Sequence, residues 1–146
     1  MNTKIIGLLI LLSLAKLNFL YSQNGRHYGV ASFEANKTLY IIEAPISLEQ
    51  YEKKGYNTKS VESHDYIEKK LKESFKYKLL SQAKINPEKF LSPIIVDFWG
   101  PRYENGNTVD EPYEYFWNYT DAKNWMAVLI QASQEHDTKY KIVWIK

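Results

Sequence analysis

Aromatic rings and carboxylates are concentrated in one segment of the chain, Asp97–Trp125. The segment contains nine aromatic residues and six carboxylates. Aromatic faces contact sugar C–H groups, carboxylates accept hydrogen bonds from hydroxyls, and Tyr and Trp dominate protein-binding surfaces. Packing of these rings in the core of a small domain is the alternative. The segment predicts a surface that binds a protein or a glycan, with five candidate residues: Trp99, Tyr103, Tyr113, Tyr115 and Trp117.

Two carboxylates of this segment, Asp97 and Glu114, could form a catalytic pair. Asn105 and Gly106 favour a two-residue hairpin turn, and the register of that turn would place Asp97 opposite Glu114. Asp97 would also share a strand face with Trp99, two residues away. Opposed carboxylates favour protonation of one partner, and glycosidases use two carboxylates in this way. A small glycan hydrolase is therefore the alternative to a binding domain.

The remaining catalytic and metal-binding patterns are not found in the sequence. No nucleophile elbow, phosphate-binding loop or dinucleotide fingerprint is present, and Ser32 lacks the second glycine of such an elbow. The chain has no Cys, and its three histidines, His27, His64 and His136, each lie in a different part of the sequence. We interpret His64 as a surface residue near a helix start and His136 as a helix-terminus residue. The sequence thus predicts neither a cofactor nor a metal.

The N-terminal residues 1–22 have the three parts of a secretory signal peptide. Lys4 precedes the apolar run Ile5–Ala15, and a small residue stands just before Gln23. A membrane anchor is the alternative, but Lys16 falls inside the window that such a helix would need. We therefore expect cleavage near Gln23 and a periplasmic or extracellular protein.

Residues 23–146 carry no net charge. Of 19 basic residues, Lys4 and Lys16 leave with the signal peptide, so that 17 basic residues remain against 17 acidic ones. Nucleic-acid-binding proteins have a basic excess, and a phosphate-binding surface favours Arg, of which this part has only Arg26 and Arg102. We expect no nucleic-acid partner and, after signal removal, no membrane span. The length suffices for a single domain.

The strands are indicated by β-rich runs between turn residues. Tyr28–Glu34 and Thr38–Ala44 flank Asn36, which tolerates the backbone of a tight turn, and predict a β-hairpin. Alternating or apolar runs predict three more strands, at Ile94–Trp99, Tyr113–Tyr119 and Lys139–Ile145.

Two segments have the period of amphipathic helices. In the first, Ser63 is the predicted N-cap and apolar residues recur every four positions, at Ile67, Leu71, Phe75 and Leu79. In the second, Thr120 is the predicted N-cap and Asp121 lies in the first turn. The predicted order β-β-α-β-β-α-β indicates an α+β domain with an antiparallel sheet of about five strands and both helices on one face.

Overall fold

A computed structural model describes residues 27–58, 60–104, 107–136 and 139–146, with the backbone alone for 101–114 and 136. The predicted signal peptide, residues 1–22, lies outside the described residues. The strands are β1 (Tyr28–Ala35), β2 (Thr38–Ile42), β3 (Ile46–Ser47), β4 (Ile95–Asp97), β5 (Trp99–Glu104), β6 (Asn107–Tyr115) and β7 (Lys141–Ile145), and the α-helices are α1 (Glu49–Glu52), α2 (Val61–Lys78) and α3 (Tyr119–His136).

Strand β1 is the centre of a five-stranded sheet. It pairs antiparallel with β2 on one side and with β3 and β4 on the other. The predicted α+β class and a sheet of about five strands are confirmed. The sheet is mixed rather than antiparallel, because β7 pairs in parallel with β2. β7 follows a helix instead of a hairpin turn, and a helical crossover allows a strand to return in the parallel direction.

The first hairpin forms where the sequence predicts it. Ala35 pairs with Thr38, which leaves Asn36 and Lys37 as a two-residue turn. Both turn residues have positive φ, 51° for Asn36 and 57° for Lys37. Positive φ at both central positions matches the right-handed twist of the flanking strands. Asn36 favours this backbone, and Lys37 adopts it because the two paired strands fix the turn.

Both long helices begin at a different residue from the predicted cap. Ser60, rather than Ser63, caps α2, and its Oγ accepts a hydrogen bond from the Ser63 N–H at 3.2 Å. Asn118 precedes α3, and its Oδ1 accepts a bond from the Asp121 N–H at 2.9 Å. Thr120, the predicted cap, lies inside α3. In each case the capping side chain stands three residues before the N–H that it satisfies.

Helices α2 and α3 cover opposite faces of the sheet, not the same face. The Asp97 carboxylate accepts a hydrogen bond from Trp125 of α3, and Asp97 lies opposite Val30 on β1. Gly29, the next residue of β1, faces α2, since a Cβ there would lie 3.3 Å from Leu71 Cδ1. Successive strand residues point to opposite faces. Below, the two faces are called the α2 side and the α3 side.

The hydrophobic core occupies both sides of β1. Val30 and Ala31 are adjacent and point to opposite faces, and both are fully buried. The predicted apolar stripe of α2 is confirmed, because all four of its members are buried: Ile67, Leu71, Phe75 and Leu79. A sheet that is covered on both faces explains why β1 buries apolar residues on both of its sides.

Candidate functional site

Three of the five candidate binding residues have described side chains, and their rings are in contact. Trp99 of β5 pairs with Tyr115 of β6, and their ring centroids are 5.6 Å apart with the planes at 89°. Trp117 follows, with its ring 6.2 Å from Tyr115 at 78°. Trp99 is 47% exposed, and Tyr115 and Trp117 are half-buried. We call these three residues the aromatic surface.

Tyr103 and Tyr113, the other two candidates, lie on the same hairpin, but their side chains are outside the described residues. Their strands are described at the level of the backbone. Tyr103 pairs with Thr108 near the hairpin turn. The aromatic surface as described therefore consists of Trp99, Tyr115 and Trp117 at the base of the hairpin.

Two buried histidines lie against the aromatic surface. The His27 ring is 4.5 Å from that of Trp117 and 5.5 Å from that of Tyr115. The His64 ring is 5.3 Å from that of Tyr115 and 5.7 Å from that of Trp99. Both histidines are almost fully buried, at 1% and 6% exposure. The Tyr115 ring thus packs against two imidazoles, which come from different parts of the chain.

The interpretation of His64 as a surface residue is wrong. His64 lies in the first turn of α2, but it belongs to the inward face that continues through Ile67 and Leu71. Its ring stacks on Phe98 with a centroid distance of 5.1 Å and an angle of 18° between the planes. Because His64 lies three residues before Ile67 on the same helix face, its ring is placed against Phe98 rather than in solvent.

Thr58 links the two histidines through hydrogen bonds. Its hydroxyl donates to Glu52 Oε1 at 2.8 Å, so His27 Nδ1 must be the donor in its 2.6 Å contact with Thr58 Oγ1. The carbonyl of Thr58 can only accept, so His64 Nε2 donates to it. These bonds fix the tautomer of each ring at the bonded nitrogen. They hold the base of the aromatic surface in one arrangement.

Sequence reasoning missed His27, Thr58 and His64 as partners of the aromatic surface. His27 lies before β1, Thr58 lies in the loop before α2, and His64 lies in α2 itself. None of these residues has a diagnostic neighbour at short spacing, and their contacts depend on the tertiary fold. One partial signal exists, because a histidine three residues before Ile67 extends the apolar stripe of α2 by a turn.

The register of the second hairpin changes along its length. Near the turn, Arg102 pairs with Val109, as the Asn-Gly pair predicts. Beyond an irregularity between Gly100 and Arg102, Gly100 pairs with Glu114. Pro101 lies at the shift, and a proline has no N–H to donate to the ladder. Glu114 is therefore opposite Gly100 instead of Asp97.

Asp97 belongs to the five-stranded sheet and not to the hairpin. It pairs with Val30 of β1, and its Oδ2 accepts a hydrogen bond from Trp125 Nε1 at 2.9 Å. The predicted pairing of Asp97 with Glu114 is wrong because these residues belong to different sheets. The Glu114 side chain itself lies outside the described residues.

Asp97 and Trp99 also face different sides of the molecule. The chain bends at Phe98, between β4 and β5. Asp97 contacts α3, whereas Trp99 contacts His64 of α2. The prediction that these two residues share a strand face is wrong, because the regular alternation ends at the bend.

Burial raises the pKa of the Asp97 carboxyl above its ordinary value. The hydrogen bond from Trp125 opposes this shift, and the negative charge of Glu68 adds to it. Asp97 is thus a carboxyl group whose protonated form is favoured by its surroundings.

No protein-family model matches the sequence, and neither a curated protein nor a solved structure matches the chain. Within the described ranges, no group of three or more His, Asp or Glu side chains could hold a metal ion. No helix in the described part of the chain is both long enough and apolar enough to cross a bilayer.

Proposed function

We propose that this protein is a non-enzymatic binding domain that holds another protein through the aromatic surface. One observation carries the proposal: three aromatic rings touch, and the first of them, Trp99, is 47% exposed. Tyr and Trp are enriched among the residues that contribute most to protein–protein affinity. The absence of net charge in residues 23–146 is consistent with binding through apolar contact rather than through charge.

The angles between the rings favour a protein over a glycan. A sugar stacks on one flat ring face, and a chain of sugars needs several rings in similar orientation. Here the middle ring, Tyr115, is close to perpendicular to both Trp99 and Trp117, at 89° and 78°, so neighbouring rings do not continue one flat face. Asp97, which could have accepted hydrogen bonds from sugar hydroxyls, contacts α3 instead. Perpendicular rings form a compact apolar patch of the kind that fits protein side chains.

The buried histidines reduce the entropic cost of binding. Tyr115 packs between His27 and His64, and both imidazoles are fixed by hydrogen bonds to Thr58. A side chain that is already ordered loses less conformational freedom when a partner binds. The hydrogen-bonded histidines therefore support a preorganised contact surface.

The test is a capture experiment with two matched tryptophan variants. Trp144 on β7 is 45% exposed, nearly the same as Trp99, but it lies outside the aromatic surface. Tagged wild type, Trp99→Ala and Trp144→Ala are each used to capture proteins from an envelope extract of the native host. We expect a protein that wild type and Trp144→Ala retain and that Trp99→Ala loses.

Two outcomes contradict this proposal. If Trp99→Ala and wild type retain the same proteins, the aromatic surface does not bind them. If a glycan array shows binding that Trp99→Ala abolishes and no protein is lost, the ligand is a glycan. Thermal melting of each variant establishes that the fold is intact. The glycan hydrolase alternative receives no support, because Asp97 and Glu114 are not opposed.

We also propose that the protein is exported and that its mature form begins near Gln23. The support is the charged, apolar and small-residue pattern of residues 1–22. Intact-mass analysis of the protein from its native host tests this. We expect a mass that corresponds to residues 23–146, and recovery of the full chain from the inner membrane would contradict cleavage.

A further inference from the structure

Two tyrosine rings are stacked beside α2, outside the aromatic surface. Tyr56 follows α1, and Tyr66 lies in the second turn of α2. Their ring centroids are 4.8 Å apart, and the ring planes differ by only 13°. A third ring, Tyr51 of α1, meets Tyr56 edge-on at 6.4 Å. The fold thus brings two phenols from different elements face to face.

The two hydroxyl groups lie at the same end of this stack. A side-chain hydrogen bond with Tyr66 raises the pKa of Tyr56 above its ordinary value. Because the hydroxyls are neighbours and the rings are almost parallel, the ring carbons next to each hydroxyl, the ortho carbons, also face each other. In a phenoxyl radical these ortho carbons carry part of the unpaired electron. They are the atoms through which two tyrosine radicals couple.

A second pair of tyrosines, Tyr28 and Tyr119, has a different geometry. Its ring centroids are 6.0 Å apart, and its planes are nearly perpendicular, at 84°. Tyr119 is 46% exposed and Tyr66 is 41% exposed, so each pair has one ring that solvent reaches to a similar extent. In the perpendicular pair the edge of one ring meets the other ring, and the two sets of ortho carbons are not aligned. The two pairs therefore separate the effect of ring geometry from the effect of exposure.

The stacked pair is accessible to an oxidant from one side. Tyr66 is exposed, whereas Tyr56 is half-buried beneath it. An oxidant in solution therefore reaches Tyr66 directly, and Tyr56 lies in contact with the ring that is oxidised. The chain has no Cys, whose thiolate would be oxidised in preference to a phenol.

We propose that Tyr56 and Tyr66 form an oxidative cross-linking site, at which a haem peroxidase and hydrogen peroxide join the two rings into dityrosine. Each phenol loses one electron and one proton and becomes a phenoxyl radical. The two radicals form one carbon–carbon bond between their ortho carbons, and the two ortho hydrogens move to the oxygens, which restores both phenols. Hydrogen peroxide takes up the two electrons and the two protons and leaves as two water molecules.

The cross-link closes a short covalent loop that contains Thr58. Thr58 lies between Tyr56 and Tyr66 in the sequence, and its hydrogen bonds hold His27 and His64. A covalent link between two parts of the chain stabilises the fold mainly because it restricts the unfolded chain. No disulfide can supply such a restraint in a chain without Cys. Dityrosine would thus fix the segment that supports the base of the aromatic surface.

Treatment of the purified protein with a haem peroxidase and hydrogen peroxide tests the proposal. The protein is kept dilute, and chains that become linked to one another are removed by size-exclusion chromatography. We expect the remaining monomer to lose the mass of two hydrogen atoms, to gain the fluorescence of dityrosine and to yield a linked peptide that contains Tyr56 and Tyr66. We also expect its melting temperature to rise by about 5–10 °C over that of the untreated protein.

Phenylalanine variants identify the rings that react, because they keep the ring and remove the phenol. Tyr56→Phe and Tyr66→Phe should each abolish the product within one chain. The controls are Tyr119→Phe, from the perpendicular pair, and Tyr77→Phe, which removes a phenol that is 72% exposed. Both controls should cross-link like wild type. A linked peptide that joins Tyr28 to Tyr119, an undiminished product in Tyr66→Phe, or links between chains with none inside a chain would each overturn the proposal.

Discussion

The two sides of the sheet use polar groups in opposite ways. On the α2 side, His27 and His64 are buried, hydrogen-bonded through Thr58 and packed against aromatic rings. On the α3 side, Asp97 and Ser32 are largely buried beside a cavity. Polar groups that are hydrogen-bonded to one another and packed against aromatic rings support an outer surface. Polar groups that surround a cavity line a pocket instead. The structural role of a buried polar group therefore depends on whether it is packed against other side chains or borders a cavity.

The largest expected effect tests the polar network of the α2 side. Thr58→Val removes the hydroxyl that joins His27 to Glu52, so both groups lose a partner. We expect a loss of about 2–4 kcal/mol in the free energy of unfolding, from two buried or partly buried polar groups. Urea unfolding measures it. Thr58→Ser keeps the hydroxyl and should retain most of the stability.

An equal small loss in Thr58→Val and Thr58→Ser would mean that the methyl group, and not the hydrogen bonds, contributes to stability. That result would remove the distinction between a hydrogen-bonded α2 side and an α3 side with a cavity. It would also weaken the argument that the aromatic surface is preorganised.

A smaller effect on stability is expected at two glycines, which differ in how closely other side chains pack against them. A Cβ at Gly100 would lie 2.9 Å from Phe116 Cε1 and 3.1 Å from Trp125 Cε3, whereas at Gly29 the closest contact is 3.3 Å, to Leu71. We expect Gly100→Ala to destabilise by about 1–3 kcal/mol through overpacking, and Gly29→Ala by less. Chemical denaturation of both variants measures the difference. A larger loss for Gly29→Ala would show that the α2 side is the more tightly packed side.

The smallest expected effect concerns the pH dependence of stability at Asp97. Burial raises the pKa of Asp97 in the folded protein, so the folded chain holds this proton more tightly than the unfolded chain. The resulting stabilisation is fully present below about pH 4, the ordinary aspartate value, and is lost as the pH rises through the native pKa. Asp97→Asn has no ionised form, so it avoids the cost of a buried charge at neutral pH.

We therefore expect Asp97→Asn to raise the melting temperature at neutral pH by about 1–3 °C. The difference from wild type should shrink toward pH 4. Melting curves across this range measure it, with Glu62→Gln as the exposed control. A difference that grows as the pH falls would mean that the folded protein stabilises the charged form of Asp97.

The local elements of the fold were predictable because neighbouring residues determine them. The turn at Asn36 and the buried stripe that includes Leu71 and Phe75 follow from backbone preference and helical period. The exact first residues of the helices were not predictable, since Ser60 and Ser63 are both good N-caps and tertiary packing selects between them. Local pattern predicts that an element exists more securely than where it ends.

The candidate site was only partly predictable from the sequence. The concentration of aromatic residues indicates Trp99 and Tyr115, and their pairing follows from one hairpin. The buried histidines depend on contacts between distant parts of the chain. The separation of Asp97 from Trp99 depends on the bend at Phe98, and period-2 alternation does not predict such a bend.

The parallel pairing of β2 with β7 has a consequence for how the chain reaches its folded state. Thr38 pairs with Lys141, and Ile42 with Ile145, so this ladder joins residues about a hundred positions apart. Contacts between such distant residues slow folding, because a large loop must close before they form. During synthesis, β2 leaves the ribosome long before β7 is made. The five-stranded sheet can therefore be completed only after nearly the whole chain has been synthesised.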